Sequence, residues 1–253
     1  MKKETNCGLT VGLSYREEGS FHPKLENFKE RFSDLQATTG VADWYFPSLG
    51  FTNAIMWEAD GLDHKPGFLR SLSADEKSGH KADGVMLPRH KAFGMGICNA
   101  DCPIIVGTGG PYKFLLHAGL GNLIRKDEIS IINTLAIQMR ILEVAPEDIH
   151  VWVGFGATHK TYGIGEDDDR WPLIKKWQRH NYSVILGPRK GAPGVDLHDI
   201  AHQQLVEQGV PPENIEIDLY DTALGPDHAN PGEAHFSNLM KCASLERNFA
   251  GAW

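Results

Sequence analysis

The chain has 253 residues, of which 41% are hydrophobic and 23% charged, with a formal net charge of −8. That length can bury a sizeable core, and an acidic balance without a Lys/Arg cluster excludes a basic nucleic-acid footprint. No apolar stretch approaches the ~20 residues of a membrane span, and MKKETNCGLT carries two lysines with no apolar run behind them, so it does not read as a secretory signal. A small anion remains possible as a ligand, because one or two placed arginines suffice to hold it. Four cysteines, Cys7, Cys98, Cys102 and Cys242, show no zinc-ribbon pairing and are too sparse for a disulfide framework. Free thiols in a reducing, cytoplasmic setting are the expectation.

In chain order, CGLTVGLSYREEGS alternates apolar and polar positions and reads as a strand. PKLENFKERFSDLQ spaces Leu25, Phe28, Phe32 and Leu35 at helical intervals, while FTNAIMWEA reads as a strand and residues 63–81 as an exposed loop. DGVMLP, FGMGIC, PIIVGT and YKFLLHA are four short apolar runs, expected to form antiparallel sheet with a hairpin turn at GTGGPY. NLIRKDEISIINTLAIQMRILEV reads as one long helix, with apolar residues 124, 131, 132, 135, 139 and 142 on one face. IHVWVGFGA and YSVILG read as strands, WPLIKKWQRHN as a helix, and VDLHDIAHQQLVEQGV as a helix begun by an Asp cap and ended by Gly209. NIEIDLY is the last strand. Strands in runs with irregularly placed helices favour one α+β domain over a doubly wound sheet. The expectation is therefore a single domain over residues 1–253, with mixed or antiparallel sheets packed in α/β/β/α layers.

Reactive side chains need sorting among twelve histidines. His22, His90, His150 and His180 fall in turns or at helix ends and are read as solvated. His198 and His202 stand i, i+4 on a helix without an intervening Glu, which favours a surface helix over a metal site. Cys102 and His117 differ, because a hairpin through GTGGPY would bring the segments carrying them together. Such a pair can be a buried thiol and a hydrogen-bonded imidazole, a zinc-binding pair, or a nucleophile with its base.

The series ADGVML, NADCPIIV and LLHAG, followed by a helix, resembles the multicopper polyphenol oxidoreductase family, also called laccase-like or peptidoglycan-editing-factor, whose pattern is QVH, ADA, TADCxPV and AHAGWRG. VGLSYREEGSF is similar to the family's ST-R-GG-S segment, VGFGATHKTYGIG to GPAIGxxxYEVG, and VDLHDIAHQQLVEQGVPPENIEI to its DLxxxNxxQLxxxGV helix and strand. The resemblance implies a zinc site of His64, Cys102 and His117, with copper less favoured. His64 stands 18 residues before Ala82, while the rival His80 sits only two before it. Asp101, beside Cys102, can shuttle protons or equally orient the metal ligand from behind. Arg16 and Arg31 read either as anchors for phosphate or substrate or as solvated surface arginines. Tyr162 is the retained tyrosine of the similar segment and a substrate contact, and the resemblance implies a purine nucleoside with phosphate as partners. The reaction expected is phosphorolysis of adenosine or inosine, or deamination of adenosine. Three readings compete: a Cys–His hydrolase or deamidase with Cys102 as nucleophile, the phenol oxidation of the family name, and a binding protein without activity. Multicopper oxidation needs His-x-His pairs, and the sequence has none. The chain departs from the pattern where QVH becomes LDH, where AGWRG becomes AGLGN, and where GPAIG becomes GFGA; Arg125 lies one turn beyond the missing arginine.

Overall fold

The computed structural model of the chain describes residues 2–14, 27–47, 49–50, 53–57, 70–71, 82–124, 129–178, 194–223 and 248–253. Within them, period-two alternation of apolar side chains builds two six-stranded sheets. In the first, β1 (Lys2–Glu4) pairs antiparallel with β2 (Thr10–Leu13). β12 (Asn248–Ala252) lies antiparallel between β2 and β7 (Phe93–Asn99). β3 (Asp43–Phe46) runs parallel to β7, and β5 (Arg70–Ser71) closes the sheet parallel to β3. The second sheet takes the order β11 (Ile215–Ile217), β10 (Ile149–Gly154), β8 (Ile104–Gly109), β9 (Tyr112–His117), β6 (Gly84–Pro88) and β4 (Ile55–Trp57). Its two outer pairs are parallel and its inner pairs antiparallel.

Alternation sorts each strand's side chains into layers. Val11, Leu13, Met95 and Ile97 of the first sheet pack between the sheets on Ile104, Val106, Leu115 and Trp152 of the second. On the first sheet's outer face, α1 (Phe28–Thr39) lays Phe32 and Leu35 against Trp44, Phe46 and Phe249. On the second sheet's outer face, α3 (Ile131–Ile141) and α5 (Leu197–Glu207) cover Ile105, Phe114, Leu116, Val151 and Val153. The result is the expected single α+β domain with α/β/β/α layering.

Local reading of the sequence is corrected in several places. The four apolar runs of residues 83–118 do not share one sheet: β7 lies in the first and β6, β8 and β9 in the second. The long helix is broken into α2 (Leu120–Leu123) and α3, with α4 (Trp171–Gln178) further on. Ser130 starts α3 afresh, its hydroxyl accepting from the Asn133 N–H while the Asn133 side chain accepts from the Ser130 N–H. β5 falls inside the stretch read as loop, β1 and β12 were not anticipated as strands, and YSVILG lies outside the described residues. The surface-helix reading fails for His198, whose side chain is wholly buried. His150 sits within β10, opposite Thr108, rather than in a turn.

The predicted hairpin is present. β8 and β9 pair from Ile104↔His117 down to Gly109↔Tyr112, with Gly110 at φ +53° supplying the left-handed turn residue. That register sets the geometry of the candidate site at the opposite end.

Candidate metal centre

Cys102 lies between β7 and β8, two residues before the Ile104↔His117 pair. One further bond, from the Ala118 N–H to the Pro103 carbonyl (2.8 Å), carries the pairing past the ladder and brings Cys102 opposite Gly119. A Cβ built on Gly119 would meet His117 Cε1 at 2.9 Å, Cys102 Sγ at 3.0 Å and Asn122 Oδ1 at 3.3 Å. A thiol, an imidazole and an amide oxygen thus converge on one small space. Gly119 has φ −68° and ψ 162°, ordinary extended backbone, so it is the crowding and not the conformation that calls for glycine.

A buried polar chain backs this space. The His117 N–H donates to the Asp83 carbonyl (2.7 Å). The wholly buried Asp83 carboxylate accepts from the Gly50 N–H (3.0 Å) and the Asn53 N–H (2.9 Å). Asn53, at φ +59°, donates its Nδ2 to the Ile129 carbonyl (2.7 Å) and accepts at Oδ1 from Asn122 Nδ2 (2.9 Å). Burial pushes the His117 imidazole down to about 4, against the opposing pull of the Asp83 charge and the Asn122 side chain. Near neutral pH the ring is neutral, the form that offers a lone pair to a metal or a proton.

The other wall comes from the segment after β10. Phe155 adopts φ +53°, a conformation closed to the proline that stands here in the resembled GPAIG motif. The turn carries Gly156 over Pro103, where a Cβ would lie 2.6 Å from the proline nitrogen, and joins the Ala157 N–H to the Asp101 carbonyl at 2.7 Å. Buried Asp221 holds the next turn through the Thr158 N–H and the hydroxyls of Thr158 and Thr161. Tyr162 follows, its N–H on the Thr158 carbonyl. Its hydroxyl accepts from Arg170 Nη1 (3.0 Å), and Asp168 grips the same guanidinium through both carboxylate oxygens. Burial drives the Tyr162 hydroxyl pKa up; Arg170 opposes the shift, while the charges of Cys102, Asp168 and Asp101 add to it. Arg170 in turn holds the Asp168 carboxyl far below the usual range.

The structure therefore brings Cys102, His117, Asp101 and Tyr162 into one neighbourhood. His64, the rival His80, Arg16 and Arg125 lie outside the described residues. Arg31 is placed apart, on α1, with Asp34 at 3.6 Å and Lys2, Ser14, Thr38 and Trp253 around a groove of about 180 Å³. Among the described residues no group of three His, Cys, Asp or Glu side chains is arranged to hold an ion. Asp83, Asn53 and Asn122 were missed by sequence reasoning, although each is a polar residue set inside an apolar run, in ADGVML, FTNAIM and LGNL.

Residues 56–229 match the model of the family described as multi-copper polyphenol oxidoreductase laccase. The chain belongs to that family. Solved structures share its fold. The crystal structure of Neisseria meningitidis NMB0706 superposes with a TM-score of 0.73 at 15% identity, covering 100% of this chain and 98% of that one. Bacillus licheniformis YfiH, a hypothetical protein by its description, gives 0.72 at 16%, with 96% and 92% covered. YlmD from Geobacillus stearothermophilus gives 0.71 at 18%, with 97% and 91% covered. No curated protein matches the chain by sequence. The laccase-family description implies copper, but a chain without a His-x-His pair lacks the donors of a multicopper cluster. A thiol and a neutral imidazole are donor types that a borderline ion such as zinc accepts, and both crowd the same side of Gly119. Among the described residues no helix is long and apolar enough to cross a membrane.

Proposed function

We propose that the chain is a zinc-dependent enzyme of purine nucleosides, acting by phosphorolysis of adenosine or inosine or by deamination of adenosine, with His64, Cys102 and His117 as ligands. The observation that carries this reading is the convergence of Cys102 Sγ and His117 on one point beside Gly119. Zinc held there supplies Lewis acidity toward a water or a phosphate oxygen. The protein's own part is positioning and proton handling. The His117 ring enters neutral, and its backbone N–H is held by the Asp83 carbonyl. Phosphorolysis breaks the bond between ribose C1′ and the purine nitrogen, and the departing purine takes up a proton. Asp101 and Tyr162 flank Cys102 and can hold that proton. The Arg170 bond leaves the Tyr162 proton free to be donated onward. Arg16 is the proposed anchor for phosphate or substrate, and the proposed setting is a reducing cytoplasm.

Partial exposure of Cys102 favours one second reading, in which its thiolate attacks a carbonyl and His117 takes the proton. The deciding experiment incubates purified protein with adenosine and with inosine, each with and without phosphate, after measuring bound zinc. Free base with ribose 1-phosphate, or inosine from adenosine, that disappears on chelation and returns with zinc supports the proposal. Zinc-free protein that leaves every nucleoside intact, but is alkylated at Cys102 and traps an acyl intermediate, overturns it in favour of the second reading.

A further inference from the structure

The departure from the resembled AGWRG pattern does more than delete side chains: it places Asn122 where that pattern has glycine. Asn122 is wholly buried, on the short turn α2 that follows His117 and Gly119. The orientation of its amide is fixed by elimination. Asn53 must turn Nδ2 toward the Ile129 carbonyl, since a carbonyl accepts only from a donor. Asn53 Oδ1 then faces Asn122, and only Nδ2 of Asn122 can answer it, at 2.9 Å. Asn122 Oδ1 is left pointing the other way, into the space shared by His117 Cε1 and Cys102 Sγ. Among the described residues that oxygen has no hydrogen bond of good geometry, although it is fully buried. A buried carbonyl oxygen left so is costly, and the donors able to relieve the cost at this point are a ring N–H, a bound water or the weaker Cys102 S–H, of which the ring N–H is the chain's strongest.

We infer that Asn122 is a positioning residue that fixes the tautomer of His117: its Oδ1 takes the proton-bearing ring nitrogen and leaves the lone pair of the other nitrogen turned into the site. Hydrogen bonding from behind sets tautomer, ring angle and basicity of a ligating or proton-accepting histidine. Here the fixing runs Ile129 carbonyl, Asn53 amide, Asn122 amide, imidazole, with Asp83 pinning the Asn53 backbone. Every link of that chain is a neutral acceptor or donor, so the ring meets no hydrogen-bonded carboxylate through it. The inference rests on the reading of Cys102 and His117 as a working pair, and it specifies how His117 meets its ligand: in one tautomer, with its lone pair turned into the space shared with Cys102.

The test reads the tautomer directly, by long-range 15N–1H correlation spectra of the full-length zinc-free chain labelled at histidine, with His117 assigned from a His117→Gln sample. The wild-type ring is expected as a single tautomer. Asn122→Leu, close in volume but without the oxygen, is expected to show both tautomers in exchange and to bind zinc about 10- to 100-fold more weakly. Asn122→Asp loses the donor to Asn53, and with it stability, yet keeps an oxygen at the ring. It is expected to retain the wild-type tautomer, which a merely structural role for Asn122 does not predict. A wild-type ring that averages both tautomers overturns the inference even if Asn122→Leu fails to fold, as does an Asn122→Leu protein with wild-type tautomer and zinc affinity. Wild-type protein that binds no zinc refutes the metal reading instead, while its histidine spectrum still decides the role of Asn122.

Discussion

Gly119→Ala is the smallest change that tests the crowding at the site. At φ −68° and ψ 162° alanine is conformationally at ease, and a more restricted unfolded chain alone would stabilise the protein by about 0.4–1 kcal/mol. The added methyl, however, would stand 2.9 Å from His117 Cε1 and 3.0 Å from Cys102 Sγ, well inside van der Waals contact. His117 is held by its backbone in the β8–β9 ladder and Cys102 by the Pro103 and Asp101 carbonyl bonds, so neither can yield freely. Overpacking of this kind costs about 1–3 kcal/mol, which outweighs the entropic gain. The expected net loss is on the order of 1 kcal/mol, read by urea denaturation of zinc-free protein. Splaying the two donors should also weaken zinc binding by at least about tenfold, since ligand geometry sets affinity. A variant more stable than wild type with undiminished zinc affinity would refute the convergence of Cys102 and His117 on this space.

Three further outcomes are expected. Tyr162→Phe removes the acceptor of the 3.0 Å bond from the partly exposed Arg170, so stability should change by less than about 1 kcal/mol, while nucleoside turnover falls about 10²-fold at similar KM if the hydroxyl moves a proton. A fall in KM-dependent binding alone would instead make Tyr162 a contact. Burial, with a smaller contribution from His159, holds the His198 imidazole below its usual 6.5, against the charges of Asp196, Asp221 and Asp218. The unfolded chain then binds the extra proton first, so stability is present above about pH 6.5 and is lost as pH falls below it. His198→Leu should flatten Tm between pH 7 and 4 relative to wild type, and an unchanged slope would count against the buried neutral ring. Ser130→Ala deletes the cap that restarts the chain as α3, and a loss of about 1 kcal/mol in chemical denaturation is expected; no loss would mean that packing of Ile131 and Leu135 alone fixes that helix start.

Much of the site's framework was legible because it is local. Turn residues at GTGGPY specify a hairpin, and counting along it from Gly109↔Tyr112 to Ile104↔His117 carries Cys102 to Gly119 without knowledge of the rest. Sheet membership was not legible. FGMGIC and PIIVGT alternate alike, and it is the distant strands β12 (NFAGA) and β3, on either side of β7, that draw one of them into the other sheet. The split of the long helix turned on Ser130, whose capping box with Asn133 is a short-range signal masked by continuous apolar periodicity on either side. For Arg31, order along the chain said nothing of distance, and α1 puts it over the first sheet beside Ser14 and Trp253. Asn53 and Asn122 were hidden for another reason. They stand 69 residues apart, and a polar residue in an apolar run announces a buried hydrogen bond without naming its partner.

The central claim is that Cys102 and His117 share one metal ion with His64 as third ligand. It is tested most directly by anomalous scattering at the zinc edge from crystals of the full chain grown with zinc. The account predicts one strong peak between Cys102 Sγ and the His117 ring, beside Gly119, with the His64 imidazole completing three protein ligands. Zinc-saturated crystals with no anomalous density at that point, or with a peak whose ligands leave out Cys102 and His117, would contradict it.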